Sequence, residues 1–212
     1  MAAKQPANRP QNSQQWFIDK LQAARKQFKA PAWDLVTPTL FGCEAYYQSM
    51  GNPNTNDIGM YDDALVLLWK GGFLAVNANL DPTTRKPGHG NAEAKGRATI
   101  HYGYFKDAYA VGKHKTIYPA LRQVGTLTIR RDADKHVGPE KLITVDGEKF
   151  YLEVGDWQAC NIHPGGVTST SSEGCQTIPR GAMWDLFIST AVNALKLSGN
   201  KYFDYTKARV RG

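Results

Sequence analysis

Between residues 13 and 28 the apolar positions fall three and four apart. Phe17, Leu21, Ala24 and Phe28 share one face, and Ser13 precedes them where an N-cap would sit. The pattern predicts a helix over "SQQWFIDKLQAARKQF" that Pro31 ends. Further on the period changes. "ALVLLWKGGFLAVNANL" holds two apolar runs around Gly71-Gly72 and predicts a hairpin. "RATIHYGYF", "AYAVGKH", "VGTLTIRR" and "KLITVDGEKFYLEVG" predict further strands, the last turning back at its Asp-Gly pair. In "DWQACNIH", strand alternation puts Trp157, Ala159, Asn161 and His163 on one face, with Cys160 and Ile162 on the other. Trp184, Phe187, Ile188, Ala191, Val192 and Leu195 form a stripe through "MWDLFISTAVNALKLSG", a second helix closed by Gly199.

Turn chemistry separates these elements. "GNPNTND" reads as a turn and "DPTTRKPGHGNAEAKG" as a loop. The expectation is an α+β fold, β-rich, with a helix near each end. Residues 1–12 read as a flexible tail, residues 13–60 as a helix and loop region packed on the domain, and residues 61–212 as the main domain. A length of 212 residues suits this and can bury a full core.

Charge narrows the partners. Lys and Arg number 26 against 19 Asp and Glu, a net charge of +7, which suits an anionic partner such as nucleic acid, cell wall or a membrane surface. No aromatic residues interleave with a basic stripe as in a recognised nucleic-acid module, so nucleic acid is not the expected partner. No window approaches the ~18 apolar residues of a membrane span. The polar start "MAAKQPANRPQNSQQW" lacks the apolar stretch of a secretory signal, so synthesis in the cytoplasm without a signal peptide is expected. Cys43, Cys160 and Cys175 are too few, and odd in number, for a disulfide framework.

The candidate chemistry lies in "NIHPGGVTSTSSEGCQTIP". His163 sits where a strand should stop, because Pro164-Gly165-Gly166 is not expected to continue a ladder. Cys175 follows Gly174 in a loop of small residues that lets a substrate approach the backbone. A nucleophilic thiol needs a base, access and nearby N–H donors, and this segment offers all three. Pairing with His163 is expected to lower the thiol pKa and quicken its reactions.

"IH…SSEGCQT" resembles the His-to-Cys signature of the L,D-transpeptidase (YkuD-like) family, in which a strand-end His precedes a Ser-X-Gly-Cys segment. A looser likeness to phage and bacterial cell-wall proteins runs over about residues 57 to 192. The resemblance implies a catalytic domain over residues 61–212 in which Cys175 acylates on a peptidoglycan stem peptide and His163 takes the thiol proton. Ser172 and Gly174 would shape the oxyanion loop, and His114 would contact substrate. The resemblance further implies action on the cell wall with either water or an amine as acceptor, and the expected lack of a signal peptide favours hydrolysis over transpeptidation, as in phage endolysins that accumulate inside the host. Apart from the resemblance, Lys113, Arg122, Arg130 and Arg131 lie on the same β-rich stretch and are candidates to bind the carboxylates of a stem peptide or an anionic wall polymer. Glu173 stands where the family has His, and Thr177 where it has Arg. The His-before-Cys order argues against papain-like and NlpC-type peptidases. The alternative is a non-enzymatic, basic, β-rich wall-binding or phage structural protein with Cys175 merely packed.

Other chemistries fit less well. "QACN" fails the caspase signature after its third residue. His89, His101 and His114 match no zinc spacing, and Cys160 and His163 point to opposite strand faces. Asp132 and Asp134 lack the remaining ligands of a calcium loop. Nothing pairs Glu140, Glu148 or Glu153 as glycosidase acids. Neither a metal nor another cofactor is expected.

Overall fold

In a computed structural model, residues 3–47, 50, 58–83, 98–132, 141–145, 147–155 and 160–212 are described. The "GNPNTND" turn, His89, Asp134, Glu140, Asp146 of the Asp-Gly pair, Trp157 and Ala159 lie outside them. The order is α1 (Gln14–Gln27), β1 (Thr39–Glu44), β2 (Asp63–Trp69), β3 (Gly72–Ala78), β4 (Ala98–Ile100), β5 (Gly103–His114) and β6 (Tyr118–Gln123). It continues with β7 (Leu127–Asp132), β8 (Leu142–Val145), β9 (Glu148–Gly155), β10 (Ile162–Pro164), β11 (Gln176–Ile178), α2 (Ala182–Ser198) and β12 (Phe203–Arg209). This is a β-rich α+β fold with a helix near each end.

The two helices form for the reasons their spacing suggests. Ser13 caps α1, its Oγ accepting from the Trp16 N–H at 3.2 Å. Phe17, Leu21 and Ala24 are buried, and so is Arg25, which meets Thr39 and the Asp204 carboxylate instead of water. In α2, Trp184, Phe187, Ala191 and Leu195 are buried and Gly199 takes the left-handed C-cap. Val192 leaves the predicted stripe: it is 42% exposed, and Ala194 is buried in its place.

Eight strands form one sheet in the order β11-β10-β6-β5-β12-β1-β2-β3, and β4-β7-β9-β8 form a second. An isolated bridge between Asn79 and Thr177 links the end of β3 to β11, so the large sheet nearly closes on itself. One apolar cluster joins α2, the inner face of this sheet and residues of β4 and β7. The other joins α1 to the opposite face of β1 and β2. Alternation along β2 explains the division, with Leu65 and Leu67 in the first and Ala64, Val66 and Leu68 in the second.

Three expectations change. The hairpin turns at Lys70-Gly71, since Gly72 already pairs with Trp69. "RATIHYGYF" divides between β4 and β5, which lie in different sheets. The ladder does continue through Pro164, paired with Ile178, because β6 meets β10 only at Ile162 and the bond to β11 is made by the Gly165 N–H, so the proline's missing N–H costs no ladder bond.

Candidate active site

Strand pairing assembles the site. β10 and β11 run parallel with Ile162 opposite Gln176 and His163 opposite Thr177. Cys175, one residue before β11, therefore comes level with Asn161, and Gln176 N–H donates to the Asn161 carbonyl at 2.8 Å. On the other side β10 pairs with β6, Ile162 opposite Leu121. The β5–β6 hairpin pairs His114 with Tyr118 and brings both rings over the same face. His114 stacks on His163 with ring centroids 4.3 Å apart, and Tyr118 lies 5.5 Å from His114 and 5.8 Å from His163. Cys160 and Ile162 point into the core, as alternation requires.

Sγ of Cys175 and one ring nitrogen from each of His114 and His163 lie within 4.8 Å of one another, close enough for proton transfer after a small shift or for joint ligation of a metal ion. His163 is 4% and His114 8% exposed, while Cys175 is partly open. Nδ1 of His163 faces the Pro164 carbonyl at 2.9 Å, and Nδ1 of His114 faces the Asn161 side-chain amide at 3.0 Å.

The loop before the thiol is tied down at several points. Ser172 Oγ donates to the Cys175 carbonyl and accepts from the Gly174 N–H at 3.1 Å. Thr83 binds the same segment twice, its N–H on the Ser172 carbonyl at 2.8 Å and its Oγ1 accepting from the Ser172 N–H at 2.6 Å. Gly174 has φ +150°, and a Cβ there would come within 2.8 Å of the Ala98 Cβ. A side chain at 174 would therefore have to push the thiol loop away from β4.

Electrostatics overturn one expectation. Burial pushes the Cys175 thiol up to about 11, outweighing the Asn161 backbone N–H and the Lys115 charge, which lower it; Glu173 raises it slightly further. Burial also lowers His163 to about 4, opposed by the Pro164 carbonyl and reinforced by the neighbouring His114 ring and the charges of Lys115 and Arg180. The thiol is thus raised rather than lowered, and the resting pair is neutral.

The remaining site candidates scatter. Lys113 is exposed on the face of β5 opposite His114. Arg130 is buried away from the thiol, 3.2 Å from Glu44, with its guanidinium over Tyr102 and Phe150. Lys207 meets the same Glu44 carboxylate oxygen and reaches Asp81 at 3.7 Å, making a buried charged cluster. Arg122 does share the His114 face, its stem lying over Gly112. Sequence reasoning missed Asn161, Tyr118, Thr83 and Arg180. Alternation had placed Asn161 beside His163, but nothing local pointed to Arg180, whose Nε donates to the Gly165 carbonyl at 3.0 Å next to the site.

Fold and site together define a β-rich α+β domain carrying a thiol beside two stacked histidines at a sheet edge. Comparison with protein-family models, with curated proteins and with solved structures finds no match. Among the described residues, no helix is long and apolar enough to cross a membrane.

Proposed function

We propose that the protein is a cysteine acyl-transfer enzyme of L,D-transpeptidase-like character that cleaves peptidoglycan stem peptides through a Cys175 acyl-enzyme. The observation that carries this reading is the convergence of Cys175 Sγ with the ring nitrogens of His163 and His114. Because Nδ1–H of His163 donates to the Pro164 carbonyl, Nε2 is left as the base. It takes the thiol proton as sulfur adds to the substrate carbonyl. Collapse of the tetrahedral intermediate breaks the C–N bond, and the leaving amine carries away that proton. Water then adds to the thioester with His163 again as base, the C–S bond breaks, and the thiol is restored. An amine in place of water would give exchange instead of cleavage. The basic surface suits an anionic wall, with the charge excess of +7 in its favour.

Digestion of purified peptidoglycan by the wild type and by Cys175→Ala, with fragments identified by mass, tests the reading. Stem-peptide fragments from the wild type alone are expected. Equal release by both would move the chemistry away from the thiol. No release by either would favour the wall-binding or structural alternative.

A further inference from the structure

We propose that His114 is a second catalytic residue, whose Nε2–H donates a hydrogen bond to the oxyanion formed when Cys175 adds to its substrate. The inference rests on the reading of Cys175 as the nucleophile. Its evidence is a chain of hydrogen bonds that fixes which nitrogen of each histidine carries the proton.

The chain starts at the backbone. Gln123 N–H donates to the Asn161 side-chain oxygen at 3.0 Å. With that oxygen occupied, Asn161 presents its NH₂ to His114 Nδ1 at 3.0 Å. An amide NH₂ can only donate, so Nδ1 is the acceptor and the proton of the neutral ring sits on Nε2. Gln123 is itself held, its side chain accepting from the Cys160 N–H at 2.9 Å and donating to the Gly125 and Gly155 carbonyls. His163 is fixed the opposite way. The Pro164 carbonyl can only accept, so Nδ1 carries the proton and Nε2 the lone pair. Two stacked rings beside one thiol therefore carry opposite tautomers, one a base and the other a donor.

Acyl transfer needs both roles. The loop has already spent one donor near the thiol, because the Gly174 N–H is bound by Ser172 Oγ. Nε2–H of His114 has no partner among the described residues, whereas its Nδ1 is engaged. Burial and the Lys115 charge both disfavour the charged ring, so the donor is a neutral imidazole.

The same three side chains could be read as a metal site with an open position. A histidine bound to metal through Nε2 needs Nδ1–H and an acceptor behind it. Pro164 supplies that acceptor to His163, but the Asn161 NH₂ denies it to His114. The donor set fits a hydrogen-bonding His114 better than a ligating one.

Turnover of peptidoglycan fragments by the full chain tests this beside alkylation of Cys175 by iodoacetamide, a displacement that forms no oxyanion. His114→Phe keeps an aromatic ring for the stack and removes the donor. It should lose about 100- to 1,000-fold in kcat, the usual effect of one missing oxyanion donor. Its alkylation rate should stay within about threefold of wild type, because the thiol and His163 are untouched. His114→Gln, which restores an N–H, should recover part of the turnover. Wild-type kcat in His114→Phe overturns the proposal, as does alkylation falling in proportion to turnover. Stoichiometric Zn²⁺ retained by the wild type and lost in His114→Phe also overturns it, in favour of a metal centre. Equal turnover by wild type and Cys175→Ala would instead remove the nucleophile reading on which it stands.

Discussion

The resting charge of Cys175 can be tested without any substrate. The perturbation is pH. Moving a proton from a thiol near 11 to an imidazole near 4 costs about 9.5 kcal/mol, at roughly 1.36 kcal/mol per unit. Attraction between the two charges within 4.8 Å returns about 3.5 kcal/mol at an effective dielectric of about 20. About 6 kcal/mol remains, so the ion pair is populated at only about 1 part in 10⁴. Direct ionisation to thiolate at pH 7 gives a similar fraction, against about 3% for an ordinary cysteine of pKa ~8.5. The deficit of roughly 300-fold is partly offset by the greater nucleophilicity of a more basic thiolate, worth about tenfold. Cys175 in the native chain should therefore react with iodoacetamide about 20- to 30-fold more slowly at pH 7 than in the unfolded chain.

The assay is labelling from about pH 6 to about pH 10, with each cysteine peptide resolved by mass. The logarithm of the Cys175 rate should lie on a slow floor at about pH 6 to 7, set by the rare ion pair, then rise towards unit slope from about pH 8 and reach no plateau by about pH 10. Cys43 and Cys160, fully enclosed and with their thiols pushed further up, should label more slowly still and serve as internal references. A plateau below about pH 8, with native labelling at pH 7 as fast as unfolded, would show a thiolate–imidazolium pair at rest and refute the reasoning.

Two further outcomes separate structural from functional roles. Arg130→Met should lower stability by about 3 kcal/mol, the low end for a broken buried pair because Lys207 still neutralises Glu44. That corresponds to a fall in Tm of about 6 to 12 °C for a chain of this size, whereas a substrate-binding Arg130 would raise KM and leave Tm alone. His163 is held neutral, with its folded pKa near 4 below an unfolded value of ~6.5. Its contribution to stability is complete above ~6.5 and is lost as pH falls from there through 4, by at most about 3 kcal/mol. His101, also lowered to about 4, acts in the same window, while the raised carboxyl of Asp63 works against both. Denaturant unfolding of wild type and His163→Gln at several pH values isolates the ring, and a pH-independent difference between them would contradict its buried neutrality.

The elements that could be read in advance are those whose periodicity is imposed by one buried face. α1 and α2 are of that kind; the β2–β3 hairpin, with both faces of β2 buried, showed instead through two continuous apolar runs around its glycines. β1 and β12 escaped because they pair side by side with every residue of β1 buried, so no alternation survives. "FDYTKAR" also carries Asp204 and Lys207, which polarity would place in water. They are buried because Arg25 and Glu44 meet them. β6 contains Pro119, which argues against a strand, yet it pairs from Tyr118 to Gln123. In the site, Cys175 and His163 stood out through local turn chemistry. The link from Gln123 through Asn161 to His114 did not, because it depends on β10 lying against β6 in one register. Arg130 was misleading for the converse reason: a strand arginine reads as surface until its carboxylate partner from β1 is known.

Under the proposed mechanism, the neutral resting state has a consequence for how the fold supports catalysis. A thiolate–imidazolium pair at rest would place two charges in a largely buried site, and the fold would have to stabilise them at all times. A neutral thiol and imidazole ask for little before substrate arrives. The charges then develop only as sulfur adds, when negative charge passes to the carbonyl oxygen and positive charge to His163. An N–H donor fixed through Asn161 is almost idle in the ground state and strengthens as the oxyanion forms, which is the kind of interaction that raises kcat instead of merely tightening binding. The donor must already be aimed, since reorganising a buried ring at that moment would consume the gain. Rigidity around the thiol serves the same end. Thr83 and Ser172 fix the loop, the Asn79–Thr177 bridge fixes β11 against β3, and the hairpin fixes His114 against His163. The nearly closed sheet thus holds three chain-distant groups in register while leaving the chemistry uncharged until it is needed.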